Sequence, residues 1–234
     1  MCTSLSLTHE PYVKVTLVGD LIKMADGQLA VEVVNHSFDG TQEYRDQIPL
    51  VIDGESKCKV GDKVELFGTE AQFDGRTKVF AKTEHVKKVA KSTPYENVAE
   101  AVGRLAMKDT RQATADKRPW GWMLLEAGEN FLARGVFFRN LVSFIERQVP
   151  EDAIVKITGA LRNREYPTTN GGTDRMLEIT ALPRLNYKGQ RVQDAGIRVL
   201  AMPQTVNPFM GYSPIAAPAA EAKPDKAKQS EIPL

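Results

Sequence analysis

"FLARGVFFRNLVSFIERQVPEDAIVKITGALRNREY", residues 131–166, sets a strand, a helix and a second strand in succession. In "FLARGVFF", Leu132, Arg134, Val136 and Phe138 share one face and Phe131, Ala133, Gly135 and Phe137 the other, because strand side chains alternate. In "NLVSFIERQVP", Leu141, Phe144 and Ile145 stand at i, i+3 and i+4, an apolar helix face that stops before Pro150. "VKITGALRNREY" returns to period two. It turns Val155, Ile157, Gly159 and Leu161 inward and Lys156, Thr158, Ala160, Arg162, Arg164 and Tyr166 to the other side.

Upstream, the pattern is the same without the helix. "YVKVTLVGD", "LAVEVV", "QIPLVI", "DKVELFGTEAQF" and "TKVFAKTEHV" alternate and are separated by the turn signals "ADG", "DGES" and "DGR". Short strands without a long helix predict a small closed barrel, and a helix between the third and fourth strands is the arrangement of an OB-fold. Pieces of the first half recur in the second: "VGDL" at 18–21 as "VGRL" at 102–105, and "VELFGTE" at 64–70 as "VKITGAL" at 155–161. That spacing is a duplicated domain rather than a solenoid unit. The expected architecture is all-β with one short helix: two tandem five-stranded OB-fold barrels, at 1–92 and 97–200, joined through the polar stretch "KSTPYEN". Residues 203–234, rich in Pro, Ala and Lys, have little to bury and read as a disordered tail with an apolar tip.

Composition narrows the function. Of 234 residues, 42% are hydrophobic and 26% charged, with a formal net charge of +1, so only local clustering of cations can point to an anionic partner. The two cysteines, Cys2 and Cys58, match no zinc spacing and read as free thiols of a cytoplasmic protein. No apolar run approaches a membrane span, and no signal-peptide core is visible. There is no phosphate-binding Gly-rich loop, no His-Glu-x-x-His and no nucleophile elbow, so no catalytic residue, metal or cofactor is expected.

Binding residues are easier to find. Arg134, Phe138, Lys156, Arg162, Arg164 and Tyr166 interleave cations with rings on exposed strand faces, although Phe137 and Phe138 are adjacent and the sequence leaves open which of the two is core. That is what a sequence-tolerant single-strand binder needs: charges for phosphates and flat faces on which any base stacks. The same pattern also arises as a solvated strand edge that discourages aggregation. Trp120 and Trp122 share a face, either as stacking platforms or as core and interface anchors. The basic stretch before them, "MKDTRQATADKR", reads as a ligand-contacting loop that contributes Lys108, Arg111 and Arg118. The first half offers Tyr44, Arg45, Phe73 and Arg76 with Lys78, a surface that Glu65, Glu70 and Asp74 dilute.

Residues 97–182 resemble the bacterial and phage single-stranded DNA-binding protein family. "RGVFF" stands where members have an Arg-Val-Val-x-Phe-like strand, and "LRNREY" where they often have Leu-Arg-x-Arg-x-Trp, with Tyr166 in the tryptophan's place. Leu132, with Phe131 beside it, occupies the site of another family tryptophan. The resemblance implies sequence-nonspecific binding of single-stranded DNA, with RNA not distinguished, in replication, recombination or repair. It also implies a homodimer of two-barrel chains in place of a tetramer of single barrels. The family's acidic tail ends in Asp-Ile-Pro-Phe and recruits replication and repair proteins. Glu231, Ile232, Pro233 and Leu234 look like a reduced form of that tip, with Lys223, Lys226 and Lys228 where the acids belong. The alternative is a replisome or primosome accessory whose barrels mainly dimerise and dock partners.

Overall fold

A computed structural model describes residues 9–36, 42–111, 118–167, 171, 173–181 and 196–203. These residues form β-strands almost throughout, with one α-helix among them. In the first half lie β1 (Tyr12–Lys23), β2 (Leu29–His36), β3 (Glu43–Asp53), β4 (Lys63–Phe73) and β5 (Arg76–Lys82). They pair in the order β1–β2–β3–β5–β4 and close when β4 returns to β1; only the β3–β5 pair is parallel. A short β6 (Val86–Lys88) adds to β4.

The second half repeats the circuit. β7 (Glu96–Arg111), β8 (Trp120–Glu126), β9 (Leu132–Phe138), β11 (Thr173–Ala181) and β10 (Ile154–Pro167) close in the same order, again with only the third-to-fifth pairing, β9–β11, parallel. The helix α1 (Asn140–Gln148) stands between β9 and β10, as the periodicity predicts, and β12 (Gly196–Ala201) lies along β10. It buries Leu141, Val142 and Ile145, and its carbonyl end receives the Lys108 ammonium at Ile145 O (3.0 Å) and Val149 O. Where the first barrel has "DGESKCKVGD" no helix forms, in keeping with its turn-rich sequence.

The recurring glycines mark where strands cross tightly. A Cβ on Gly19 or Gly103 would fall 2.4 or 2.3 Å from a backbone oxygen, and one on Gly68 or Gly159 2.5 or 2.0 Å from another. Gly159→Ala is therefore expected to cost about 1–3 kcal/mol, read from the urea midpoint. An unchanged midpoint would show that β10 and β11 can part without loss.

Each barrel has its own core, around Leu17, Leu21, Ile48 and Leu66 in the first and Met123, Phe137, Ile157 and Ile179 in the second. The barrels are joined by antiparallel pairing of β1 with β7 from Tyr12↔Val102 to Val18↔Glu96. Val15 pairs with Ala99, and each lies four residues before its barrel's crossing glycine, so the junction has an internal twofold character. The connection between barrels is tied down. Lys91 Nζ reaches Asp20 Oδ1 (3.2 Å) and Gly61 O (2.6 Å), Tyr95 Oη donates to Asp20 Oδ2 (2.6 Å), and the Lys63 ammonium lies 3.6 Å over the Tyr95 ring. Burial works against the Asp20 carboxylate, yet these donors hold its pKa below the ordinary value.

The described residues belong to one compact unit that runs to Pro203. The expected tail, from residue 204 onward and including Glu231, Ile232, Pro233 and Leu234, lies outside the described residues. The stretch at 107–118 differs from expectation: residues 107–111 continue β7, and 112–117 are outside the described set.

Candidate nucleic-acid interface

Strand alternation builds the site. β8 turns Gly121, Met123 and Leu125 into the core and leaves Trp120, Trp122 and Leu124 outward, while β9 turns Ala133, Gly135 and Phe137 in and Arg134, Val136 and Phe138 out. Register then sets Trp120 opposite Phe138 and Trp122 opposite Val136. β11 runs beside β9 and presents Glu178, and β10 beside it presents Arg162, Arg164 and Tyr166. Four strands thus make one outer wall carrying Trp120, Trp122, Phe138 and Tyr166.

The cations on this wall are held. The Arg134 guanidinium lies 5.0 Å from the Trp122 ring and 5.3 Å from the Tyr166 ring, between the two. Its Nε is 3.6 Å from Glu178, Arg164 Nε is 2.6 Å from the same carboxylate, and Tyr166 donates its hydroxyl proton to it. Neither guanidinium aims its Nε–H along the line to oxygen, so these are ion pairs rather than directed hydrogen bonds. Burial pushes the Tyr166 phenol above its ordinary pKa, and the bond to Glu178 adds to the shift. Glu178 is fully buried. Two arginines around one carboxylate leave a local surplus of one positive charge.

Arg162 points elsewhere. It lies 4.6 Å from the Tyr44 ring and 2.7 Å from Asp46, both on β3 of the first barrel. Asp46 also accepts from Asn35 Nδ2 (2.7 Å), and Asn97 Nδ2 donates to both Asn35 Oδ1 (3.0 Å) and Leu161 O (2.7 Å). This buried polar seam fixes the strand that carries Arg164 and Tyr166 against the other barrel.

Trp120, Trp122, Arg134, Phe138, Arg164 and Tyr166 are therefore brought together, and Tyr44 and Arg162 meet at the barrel junction beside them. Arg111 sits opposite Trp120 in register, ion-paired with Asp109 (3.2 Å), and Arg118 is exposed just before Trp120. Three expected residues go elsewhere. Lys108 caps the helix. Phe131 packs against the core. Lys156 pairs with Glu100 on the sheet shared by the barrels, about 26 Å along β10 from Arg164 at roughly 3.3 Å per residue. Arg45 is exposed and bonded to Glu32 (2.8 Å). Phe73 and Arg76 are paired at the β4–β5 turn of the first barrel.

Two further corrections concern charge. Arg162 and Arg164 are expected on an exposed strand face, and there each guanidinium has a carboxylate from another strand. Glu70, expected to dilute the first barrel's surface, points inward and is buried. Sequence reasoning missed Glu178, the group that organises the wall; "MLEIT" gives no sign of it until β11 is placed beside β9 and β10.

No protein-family model matches the sequence, and no curated protein matches it. Solved structures do. The wild-type single-stranded DNA binding protein from Thermus aquaticus aligns with a TM-score of 0.58 at 15% identity, covering 74% of this chain and 92% of that one. The two share a fold. A deletion mutant of the Thermus protein aligns similarly, with a TM-score of 0.55 at 15% identity and coverage of 74% and 93%.

Proposed function

We propose that this chain is a non-enzymatic protein that coats single-stranded DNA without regard to sequence, in replication, recombination or repair in the cytoplasm. One observation carries the reading: an outer barrel wall on which Trp120, Trp122, Phe138 and Tyr166 stand exposed in part, with the Arg134 guanidinium held between two of the rings. Rings of this kind stack on any base, and the surplus positive charge draws in the backbone. RNA offers the same stacking faces, so both strands are ligands of this wall. The likeness in fold to the Thermus protein supports the same reading. The chain works as a homodimer, since one chain already supplies a joined pair of barrels and a second copy gives the four that the family's tetramers have. Its C-terminal tip, Glu231–Leu234, recruits replication or repair proteins.

The ion pairing of the ridge favours a second reading, in which the barrels chiefly dimerise and dock partners. Tryptophan fluorescence separates the two, because the chain's two tryptophans both stand on this wall. Titration with a mixed-sequence single strand is expected to quench strongly, and the matching duplex at equal salt weakly. Equal, weak responses to both would favour docking.

A further inference from the structure

The cations that the second barrel neutralises have free counterparts in the first. Thr69 pairs with Phe80, Ala71 with Lys78 and Phe73 with Arg76 across β4 and β5, while Glu70 and Val79 between them point inward. The outward face therefore carries Phe67, Phe73 and Phe80 interleaved with Arg76, Lys78 and Lys82. Phe73 and Phe80 stack with ring centres 5.8 Å apart. Phe67 is 44% exposed. It shares with Phe80, Lys82 and His85 an open depression of about 320 Å³.

Among the described residues, Arg76, Lys78 and Lys82 make no ion pair or hydrogen bond with their side chains. Asp74 at the turn and Glu84 beyond β5 are the acids closest to them in sequence, and both are exposed. Toward the second barrel, Arg76 and Lys78 line a narrow cleft together with Asn163 and Arg175 of the β10–β11 hairpin. Asp26 in that cleft is already engaged by the backbone and side-chain amides of Gln28. Arg175 is already paired with Glu165 (2.6 Å), so the cations without a partner among the described residues are the three on the first barrel, and such a row suits a chain of regularly spaced anions.

We infer that this β4–β5 face is a second contact surface for single-stranded nucleic acid, and that the two barrels divide the work: the first holds phosphates and the second stacks bases. The division rests on the proposed function of the second barrel's wall. It arises because cations already bound to Glu178 and Asp46 release few counterions when DNA arrives, whereas unpaired ones contribute fully to the salt dependence. The logarithmic slope for single strands is about −0.7 per phosphate neutralised.

The test is a fluorescence titration of the full chain with oligothymidylate from 50 to 400 mM salt. Removing three cations in R76A/K78A/K82A is expected to flatten the slope by about 2 and to leave quenching at saturation unchanged, with R76K/K78R/K82R keeping the wild-type slope. Trp122→Ala is expected to lower affinity equally at every salt concentration. If the triple variant keeps the full slope, the division is overturned while single-strand binding stands. If the wild type does not bind oligothymidylate at all, both readings fall.

Discussion

Replacing Trp122 and Tyr166 by alanine together is expected to weaken single-strand binding by about 2–6 kcal/mol, since each stacked base contributes about 1–3 kcal/mol. That corresponds to a loss of about 30-fold to about 20,000-fold in affinity. The lower part of the range is favoured by what remains. Arg134 now lies between the rings, and losing both uncovers its guanidinium, still paired with Glu178, for a phosphate to approach. The effect should therefore grow with salt, as that ionic contact is screened and stacking is not. Tyr166→Phe separates ring from hydroxyl: it loses only the bond to Glu178, so its affinity should stay within about a factor of two if stacking carries the binding. A double variant that binds like the wild type at high salt would remove the wall from the ligand path.

The elements were readable because each rests on local periodicity. Two alternating strands around an i, i+3, i+4 helix predicted β9, α1 and β10, and the recurring segments "VGDL"/"VGRL" and "VELFGTE"/"VKITGAL" predicted a repeat, whose glycines stand where a Cβ would meet backbone. The faces were readable for the same reason: Trp120 and Trp122 do share one, and the fold decides that Phe137 is core and Phe138 joins them. What could not be read was charge compensation. Arg162 looks free along β10 and is paired only because β3, from the other barrel, brings Asp46 within 2.7 Å. Arg164 looks free until β11 brings Glu178. Lys108 reads as a loop cation and is drawn to the end of a helix far along the chain. Each error has one cause: period two gives the side on which a residue lies, and only tertiary pairing gives its counterion.

Glu70 is a different case, since the parity of Val64 and Leu66 already points it inward, and it leads to a large effect on stability. In the second barrel its place, two residues past the crossing glycine, is taken by Leu161, which is fully buried in the core. In the first barrel a carboxyl is buried there instead, with Oε1 lacking any hydrogen-bond partner, and burial alone pushes its pKa up to about 8. A carboxyl whose pKa is raised on folding binds its proton more tightly in the native state. Its stabilising effect is whole below about pH 4.5, is lost steadily as pH rises, and is gone above about 8. The wild type should therefore lose on the order of 3–5 kcal/mol between those limits from this one group. Asp20 and Glu100, whose pKa values are held low by their donors, act at more acidic pH and leave the window clear. Urea midpoints at pH 5 and pH 8 are expected to diverge for the wild type and to converge in Glu70→Gln, whose comparison cancels the histidines. Glu70→Leu should be the more stable at pH 8, because it repeats the core of the second barrel. Identical pH dependence in the wild type and Glu70→Gln would mean that the carboxyl finds a partner in solution. The same proton bears on binding: β4 carries Glu70 on one side and the neighbours of Lys78 and Phe80 on the other. While protonated, Glu70 leaves the positive charge of that face undiminished, and ionising it above pH 8 sets a negative charge directly behind the phosphate contacts.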